Sequence, residues 1–422
     1  MRRRTVLLGG LAAAATVALK PKDHGGSHDD YFRRLSAALT QAQLARPTLI
    51  VDQARFAHNI EQVRAALPAG PQQLPARLVV KSLPSLPLLT QAADALKTRR
   101  FMVFNLPMLD SILAAWPDAD ILMGKPVPVL AVRHWLYEER NRAFLPRIQW
   151  LVDHPDRLTA YGDLSNVVQT PLRISLELDV GLHRGGLATP ADLKAVLAVA
   201  KKYPQLQVSG LMAYEAHVGK LPTALGMQDK AWTHVQSMLK GCTQVLRDSG
   251  YAPERMTINS GGSLTYRMHA ESTLANDISL GSALVLPSDF DKPTLKSHQA
   301  AAFIATPVLK ITDHALMPGI EWTDPLRCWW DPNAERGYFI HGGHWLADPV
   351  SPPGLESSSL YGQSSNQELW LGSATVSLQP DDYVFFRPRQ SEAVFLQFGD
   401  IAVYDEQNAR IVKAWPVFPA SA

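Results

Sequence analysis

The run Ile174-Ser175-Leu176-Glu177-Leu178 stops at Asp179-Val180-Gly181-Leu182-His183-Arg184-Gly185-Gly186, and this junction decides the fold. An apolar stretch of strand length gives way to a glycine-bearing turn that carries charged side chains. Helical spacing follows over 191–202, and a new strand-like run begins at 208. Strand, turn, helix, strand is the unit from which parallel sheets are built, because parallel neighbours need a crossover connection.

Read outward from that junction, the same unit recurs. Strand-like runs lie at 49–52, 77–81, 100–104, 121–123, 148–152, 172–179, 208–214, 256–259 and 278–286, with helical spacing clearest over 84–96, 191–202 and 231–248. Close to eight such units favour an α/β fold with a closed, TIM-like (β/α)8 barrel over an open doubly wound sheet. After about Lys296 the helical signal stops. Strand-like runs at 301–304, 308–311, 337–341, 369–378, 383–387, 394–404 and 411–417 predict a second, mostly β domain. The expected division is a barrel over 36–295 and a β domain over 296–422.

Chemistry in such a barrel sits at the C-terminal ends of its strands. The run 78–80 ends in Lys81, and 174–178 ends in the Asp179–Gly186 turn with Arg184. The run 211–213 ends in Tyr214-Glu215-Ala216-His217, and 256–258 ends in Asn259-Ser260-Gly261-Gly262-Ser263. Four strands thus aim a lysine, an arginine, a Tyr/His pair and a glycine-rich loop at one rim. A buried lysine amine is what Schiff-base chemistry requires. A glycine-rich turn between strand and helix can present N–H groups to a phosphate. Taken singly, each piece has a plainer reading: a lysine reaching solvent, an ordinary turn, a surface arginine, satisfied core Tyr and His residues. Asp179 and Glu215 could instead be the carboxylate pair of a sugar or phosphate enzyme, but no pattern of stacking aromatics accompanies them.

Together these segments resemble the D-threonine aldolase / D-serine dehydratase family, built on the alanine-racemase type of fold (fold type III of pyridoxal-phosphate enzymes). The resemblance runs from about Pro47 to the end of the chain. It rests on Pro47-Thr48-Leu49-Ile50-Val51-Asp52, Val80-Lys81-Ser82, the Glu177–Gly186 stretch, Gly210-Leu211-Met212-Ala213-Tyr214-Glu215-Ala216-His217 and Ser260-Gly261-Gly262-Ser263-Leu264-Thr265. It implies pyridoxal 5'-phosphate held as a Schiff base on Lys81. Ser260, Gly261, Gly262 and Ser263 would hold the phosphate, Arg184 would lie near the pyridine ring, and Tyr214 and His217 would line the substrate face. Asp179 would orient its neighbours. The implied activity is a lyase acting on small D-amino acids, above all 3-hydroxy-D-amino acids. An amino-acid racemase or another Cα reaction is the alternative, and a degenerate barrel that only binds is the non-enzymatic one. A homodimer is a further implication.

Lyases of this family also hold a divalent metal through a His and, two residues later, an Asp or Cys. The equivalent stretch here is Arg387-Pro388-Arg389-Gln390-Ser391-Glu392, with Gln390 in place of the His and Glu392 in place of the acid or thiol. Glutamine is a poor transition-metal ligand, whereas a carboxylate suits a hard cation. His341 and His344 offer a replacement pair. The metal is therefore the doubtful part of the implied site.

Composition narrows the field further. The chain has 422 residues, 46% of them hydrophobic and 19% charged, with a formal net charge of +2. That balance gives no electrostatic case for nucleic acid. Arg2, Arg3 and Arg4 precede a short apolar stretch and the small residues of 12–18, the pattern of a bacterial twin-arginine signal over 1–19. The expected location is periplasmic, with 20–35 as a linker after the signal. No later segment is apolar over the roughly 20 residues that a membrane span needs. Cys242 and Cys328 match no metal spacing and form no disulfide framework.

Overall fold

The computed structural model describes residues 20–67, 74–271, 273–358 and 361–419. The signal segment lies outside these. The chain forms two compact units, and neither is continuous in sequence. One holds the described residues up to Gln53 with Ala302–Arg389 and Ile401–Ala414. The other holds Ala54–Ala301, Gln390–Asp400 and the described residues from Trp415.

The second unit is a closed barrel of eight parallel strands: β2 (Ala76–Val79), β3 (Arg100–Val103), β4 (Asp120–Met123), β5 (Ile148–Val152), β6 (Leu172–Leu178), β7 (Leu206–Ala213), β8 (Thr257–Ser260) and β9 (Asp277–Leu280). Most of these runs are apolar because a strand in a barrel is buried on both faces. Phe101-Met102-Val103, Ile121-Leu122-Met123 and Trp150-Leu151-Val152 are all buried. Helices cross between strands, and some of them start on side-chain caps. Asn105 accepts from the Met108 N–H, and Thr189 and Asp192 form a capping box at Pro190–Ala200.

The barrel closes between β2 and β9, with Ala76 opposite Ile278 and Leu78 opposite Leu280. A buried polar layer locks this seam. Arg77, fully buried, donates Nε and Nη2 to the two oxygens of Asp277 at 2.7 and 2.9 Å. Arg100 Nη1 and Asn259 Nδ2 reach the same carboxylate at 2.7 and 2.5 Å. Burial alone would push Asp277 up, but the two guanidinium groups outweigh it and hold the acid below its ordinary value.

The other unit is built on a nine-stranded sheet of β1 (Thr48–Asp52), β10 (Ala302–Thr312), β11 (Arg336–His341), β12 (Ala347–Ser351), β13 (Glu356–Ser357), β14 (Gln367–Gly372), β15 (Tyr383–Pro388), β16 (Ile401–Asp405) and β17 (Arg410–Trp415). β1 runs antiparallel to β10 and parallel to β16. β10 serves two neighbours in turn: Ile304 pairs with Phe386 of β15, and beyond a bulge Lys310 pairs with Phe339 of β11.

Several expectations need correction here. The run 49–52 belongs to this sheet and not to the barrel. The supposed linker holds the start of the helix Asp30–Gln41, capped by Asp29, whose Phe32, Leu35 and Leu39 are buried. The runs 301–304 and 308–311 are one bulged strand, and the run 394–404 is strand only from Ile401. A short helix, Asp324–Trp330, interrupts the all-β reading of this region. Among the described residues no helix is long and apolar enough to cross a membrane, and both cysteines are free thiols.

Candidate active site

At the C-terminal ends of the barrel strands lies a cleft. Its walls include Lys81, Arg184, Tyr214, Gly261, Gly262 and Ser263, so six residues expected from sequence meet in one place. Lys81 sits in the single 3-10 turn Val80–Ser82, just beyond β2 and not within it. Its Nζ lies 3.2 Å from Oε1 of Glu392 and 4.8 Å from the centre of the Phe104 ring. Arg184 lies over the Tyr214 ring at 5.0 Å, a cation–π distance. Burial pushes the Tyr214 phenol above its ordinary value, and the nearby Arg184 only partly offsets this.

The glycine-rich loop is arranged differently from the simple cradle that the resemblance implies. Ser260 Oγ and the Gly261 N–H both turn inward to Glu215, at 2.8 and 3.2 Å. The Gly262 N–H goes to Thr265 Oγ1 at 3.0 Å. Ser263 is the exception. Its Oγ accepts from the N–H of Ala283 at 2.9 Å, which leaves the hydroxyl proton free to be donated into the cleft. Ser82 and Ser282 add a second hydroxyl pair to the same wall, 3.1 Å apart.

Glu215 holds this loop together. Fully buried, it accepts from Ser260 Oγ, the Gly261 N–H, Thr265 Oγ1 at 2.6 Å and His269 Nε2 at 3.1 Å. Burial alone would raise its pKa, but the hydrogen bonds from His269, Thr265 and Ser260 prevail and lower it. The sequence reading considered Glu215 only as a sugar-enzyme acid. With every donor turned toward it and no solvent access, it is a brace. Asp179 also turns to its own loop, accepting from the Gly181 and His183 N–H groups at 2.9 and 3.0 Å. The paired-carboxylate reading therefore has no pair.

His217 does not line the cleft. Its ring is wedged by Gly181, where a Cβ would stand 3.1 Å from Nε2, and its buried Nδ1 has no partner. Desolvation lowers its pKa, so it stays neutral. Sequence reasoning placed Asn259 at the rim without giving it a role, and missed Phe104, Ser282 and Phe290 in the wall. Phe104 ended a run already read as a strand, so the rim rule alone could have found it. Nothing in the spacing marked Phe290 or Ser282.

Two groups test this cleft for fit. A pyridoxal phosphate needs an amine, a flat apolar space and hydroxyl or N–H donors at one end. Lys81, the apolar walls of Met102, Phe104, Met212 and Leu280, and Ser263 meet those needs. A divalent metal at Gln390 and Glu392 fits poorly. Gln390 Nε2 is a donor to Asp289 Oδ2 at 3.0 Å, and Glu392 already faces a cation, Lys81. His341 and His344 belong to no group of three or more such ligands among the described residues. Among the described residues the one group of three metal-type ligands is His314, Asp324 and Cys328, elsewhere in the sheet unit. There Asp324 is already paired, one oxygen with the Arg327 guanidinium and the other with His314 Nδ1 at 3.0 Å.

The model of the alanine racemase N-terminal domain matches residues 51–288. The 3-hydroxy-D-aspartate aldolase of Paracoccus denitrificans (strain Pd 1222) is 27% identical over 143 residues, 32% of this chain and 35% of that protein. The chain thus matches about a third of that curated relative's length. The D-threonine aldolase structure from Filomicrobium marinum superposes with a TM-score of 0.70 at 13% identity, over 88% of this chain and 95% of that one. The D-threo-3-hydroxyaspartate dehydratase from Delftia sp. HT23 gives 0.69 at 15% identity, over 89% and 98%. At such identities these structures establish the fold and nothing finer.

Proposed function

The chain belongs to the alanine racemase N-terminal domain family, and from that premise we propose that it is a pyridoxal-phosphate-dependent lyase acting on 3-hydroxy-D-amino acids. The observation that carries this reading is the placement of the Lys81 amine inside the barrel-mouth cleft, opposite Glu392 and on the same wall as Ser263. When bound, pyridoxal phosphate supplies an electron sink for the pair released at Cα.

The chain's own residues do the rest. Lys81 would hold the cofactor covalently and, once freed by the substrate amine, would carry a proton at Nζ. Ser263, with Ser82 and Ser282 close by, would donate to the phosphate. Arg184 lies over the Tyr214 ring and holds it against the cleft. Tyr214 keeps its proton at neutral pH and serves as a hydrogen-bond donor. Glu215 fixes the loop on which Ser263 stands.

The racemase alternative needs a second base on the face opposite Lys81. Tyr214 is the one phenol in the wall, and its raised pKa suits a donor better than a base. A barrel that only binds would have no need of a lysine amine in its cleft. We further propose export to the periplasm, on the strength of the twin-arginine pattern alone.

The deciding experiment is purification with cofactor, borohydride reduction and peptide mapping. A pyridoxyl label on Lys81 is expected, with a Lys81→Ala variant unlabelled. A label elsewhere, or none, overturns the reading. Release of aldehyde or 2-oxo acid from D-threonine and D-serine then separates lyase from racemase, which would instead interconvert D- and L-alanine.

A further inference from the structure

Glu392 is the single carboxylate among the residues that line the cleft. It sits on the turn Gln390–Asp400, which returns to the barrel unit after the long excursion through the sheet unit. Ser391, Val394 and Phe395 anchor that turn, all of them fully buried. Gln390 ties it to Asp289 at 3.0 Å, and Ser391 Oγ donates to Glu392 Oε2 at 3.3 Å. The remaining oxygen, Oε1, points at Lys81 Nζ over 3.2 Å. An amide committed as a donor and a carboxylate opposed to an ammonium are the wrong donor set for a divalent cation. They are the right set for exchanging a proton.

Resting on the lyase reading above, we infer that Glu392 itself moves the proton of the substrate's β-hydroxyl, a task that a bound metal would otherwise ease as a Lewis acid. In the cleavage direction the Cα–Cβ bond would break, with bound pyridoxal phosphate supplying the sink for its electron pair. The β-oxygen becomes the aldehyde carbonyl, and its proton moves to Glu392 Oε1. Cα takes a proton from the Lys81 ammonium. Glu392 then returns its proton to Lys81 across the 3.2 Å contact, which restores both groups. In dehydration Lys81, as the neutral amine, takes the α-proton and passes it across the 3.2 Å contact to Glu392, which gives it to the departing hydroxide so that the group leaves as water.

The test uses the cofactor-loaded enzyme and two reactions. Acetaldehyde release from D-threonine and 2-oxo acid release from D-serine need the β-hydroxyl. Exchange of the α-proton of D-alanine in deuterated water does not. Glu392→Gln is expected to lower release from the hydroxy substrates by about 100-fold or more. It should keep the pyridoxyl label on Lys81 and lower D-alanine exchange at least about tenfold less than it lowers release, and Glu392→Asp should recover part of the release. Wild-type enzyme dialysed against EDTA, with metal content checked by mass spectrometry, should keep its release rate within about twofold. A merely structural Glu392 would depress both reactions together, and that result overturns the inference. So does undiminished release by Glu392→Gln, or loss on chelation that Mn2+ or Zn2+ restores. Wild-type enzyme that exchanges D-alanine but cleaves or dehydrates no hydroxy substrate overturns the lyase reading, and this inference with it.

Discussion

A methyl group on Gly262 would stand 2.9 Å from Cε2 of Tyr214, so the glycine-rich loop and the aromatic ring are in closest packing. Gly262→Ala must therefore move the ring, which also lies under Arg184. Overpacking of this kind costs about 1–3 kcal/mol. We expect weaker cofactor binding, by about tenfold, read from titration of the apoenzyme with pyridoxal phosphate. Unchanged affinity would mean that the ring has room that the structure does not show.

Replacing Glu215 by Gln keeps the shape of the brace and removes its charge. The four donors around it then lose charge-assisted bonds, and we expect a loss of about 2–3 kcal/mol at neutral pH. The pH dependence has a definite sign. The folded value lies below the ordinary 4.5, so the charge stabilises the fold fully above that value. The benefit disappears as the pH falls further, through the folded value. Melting temperatures of wild type and Glu215→Gln should thus converge as the pH drops below about 4.5, and a constant gap would sink the idea.

Asp277→Ala leaves the buried Arg77 with Asp120, 3.4 Å away and partly exposed, as its remaining counter-charge, and unpins Arg100 and Asn259. Breaking a buried pair in this way costs about 3–5 kcal/mol. The expected result in urea is an earlier midpoint with an unchanged denaturant slope, because the surface exposed on unfolding is the same.

Tyr214 should not titrate in the working range. Burial holds its phenol above 10.0, so Tyr214→Phe should lower kcat by about tenfold without reshaping the pH–rate profile between about pH 6 and 10. A limb that disappears in the variant would make Tyr214 a base and revive the racemase alternative.

The barrel and its rim were legible because parallel strands buried on both faces leave apolar runs, and because the fold sends chemistry to the ends of those runs. Lys81, Arg184, Tyr214 and Ser263 followed from that rule and from the family resemblance. What stayed hidden was pairing over long separations. Glu215 meets Ser260, Thr265 and His269, which lie 45 to 54 residues away, and no local spacing encodes that convergence. The placement of 49–52 was missed for a similar reason. Its buried pattern suits a barrel strand as well as one between β10 and β16, so composition could not choose between them. His217 shared a strand end with Tyr214, yet its ring turned toward Gly181, which a rim rule cannot foresee.

The barrel unit takes its last cleft residue from a turn made 91 residues after Ala301, once the chain has built most of the sheet unit. A ribosome that has released the whole eight-stranded cylinder has therefore not yet released Glu392. On the role inferred for Glu392, activity would appear late in synthesis, after the scaffold, and a single genetic crossover near residue 301 would pass on the scaffold and the lysine but strand the acid.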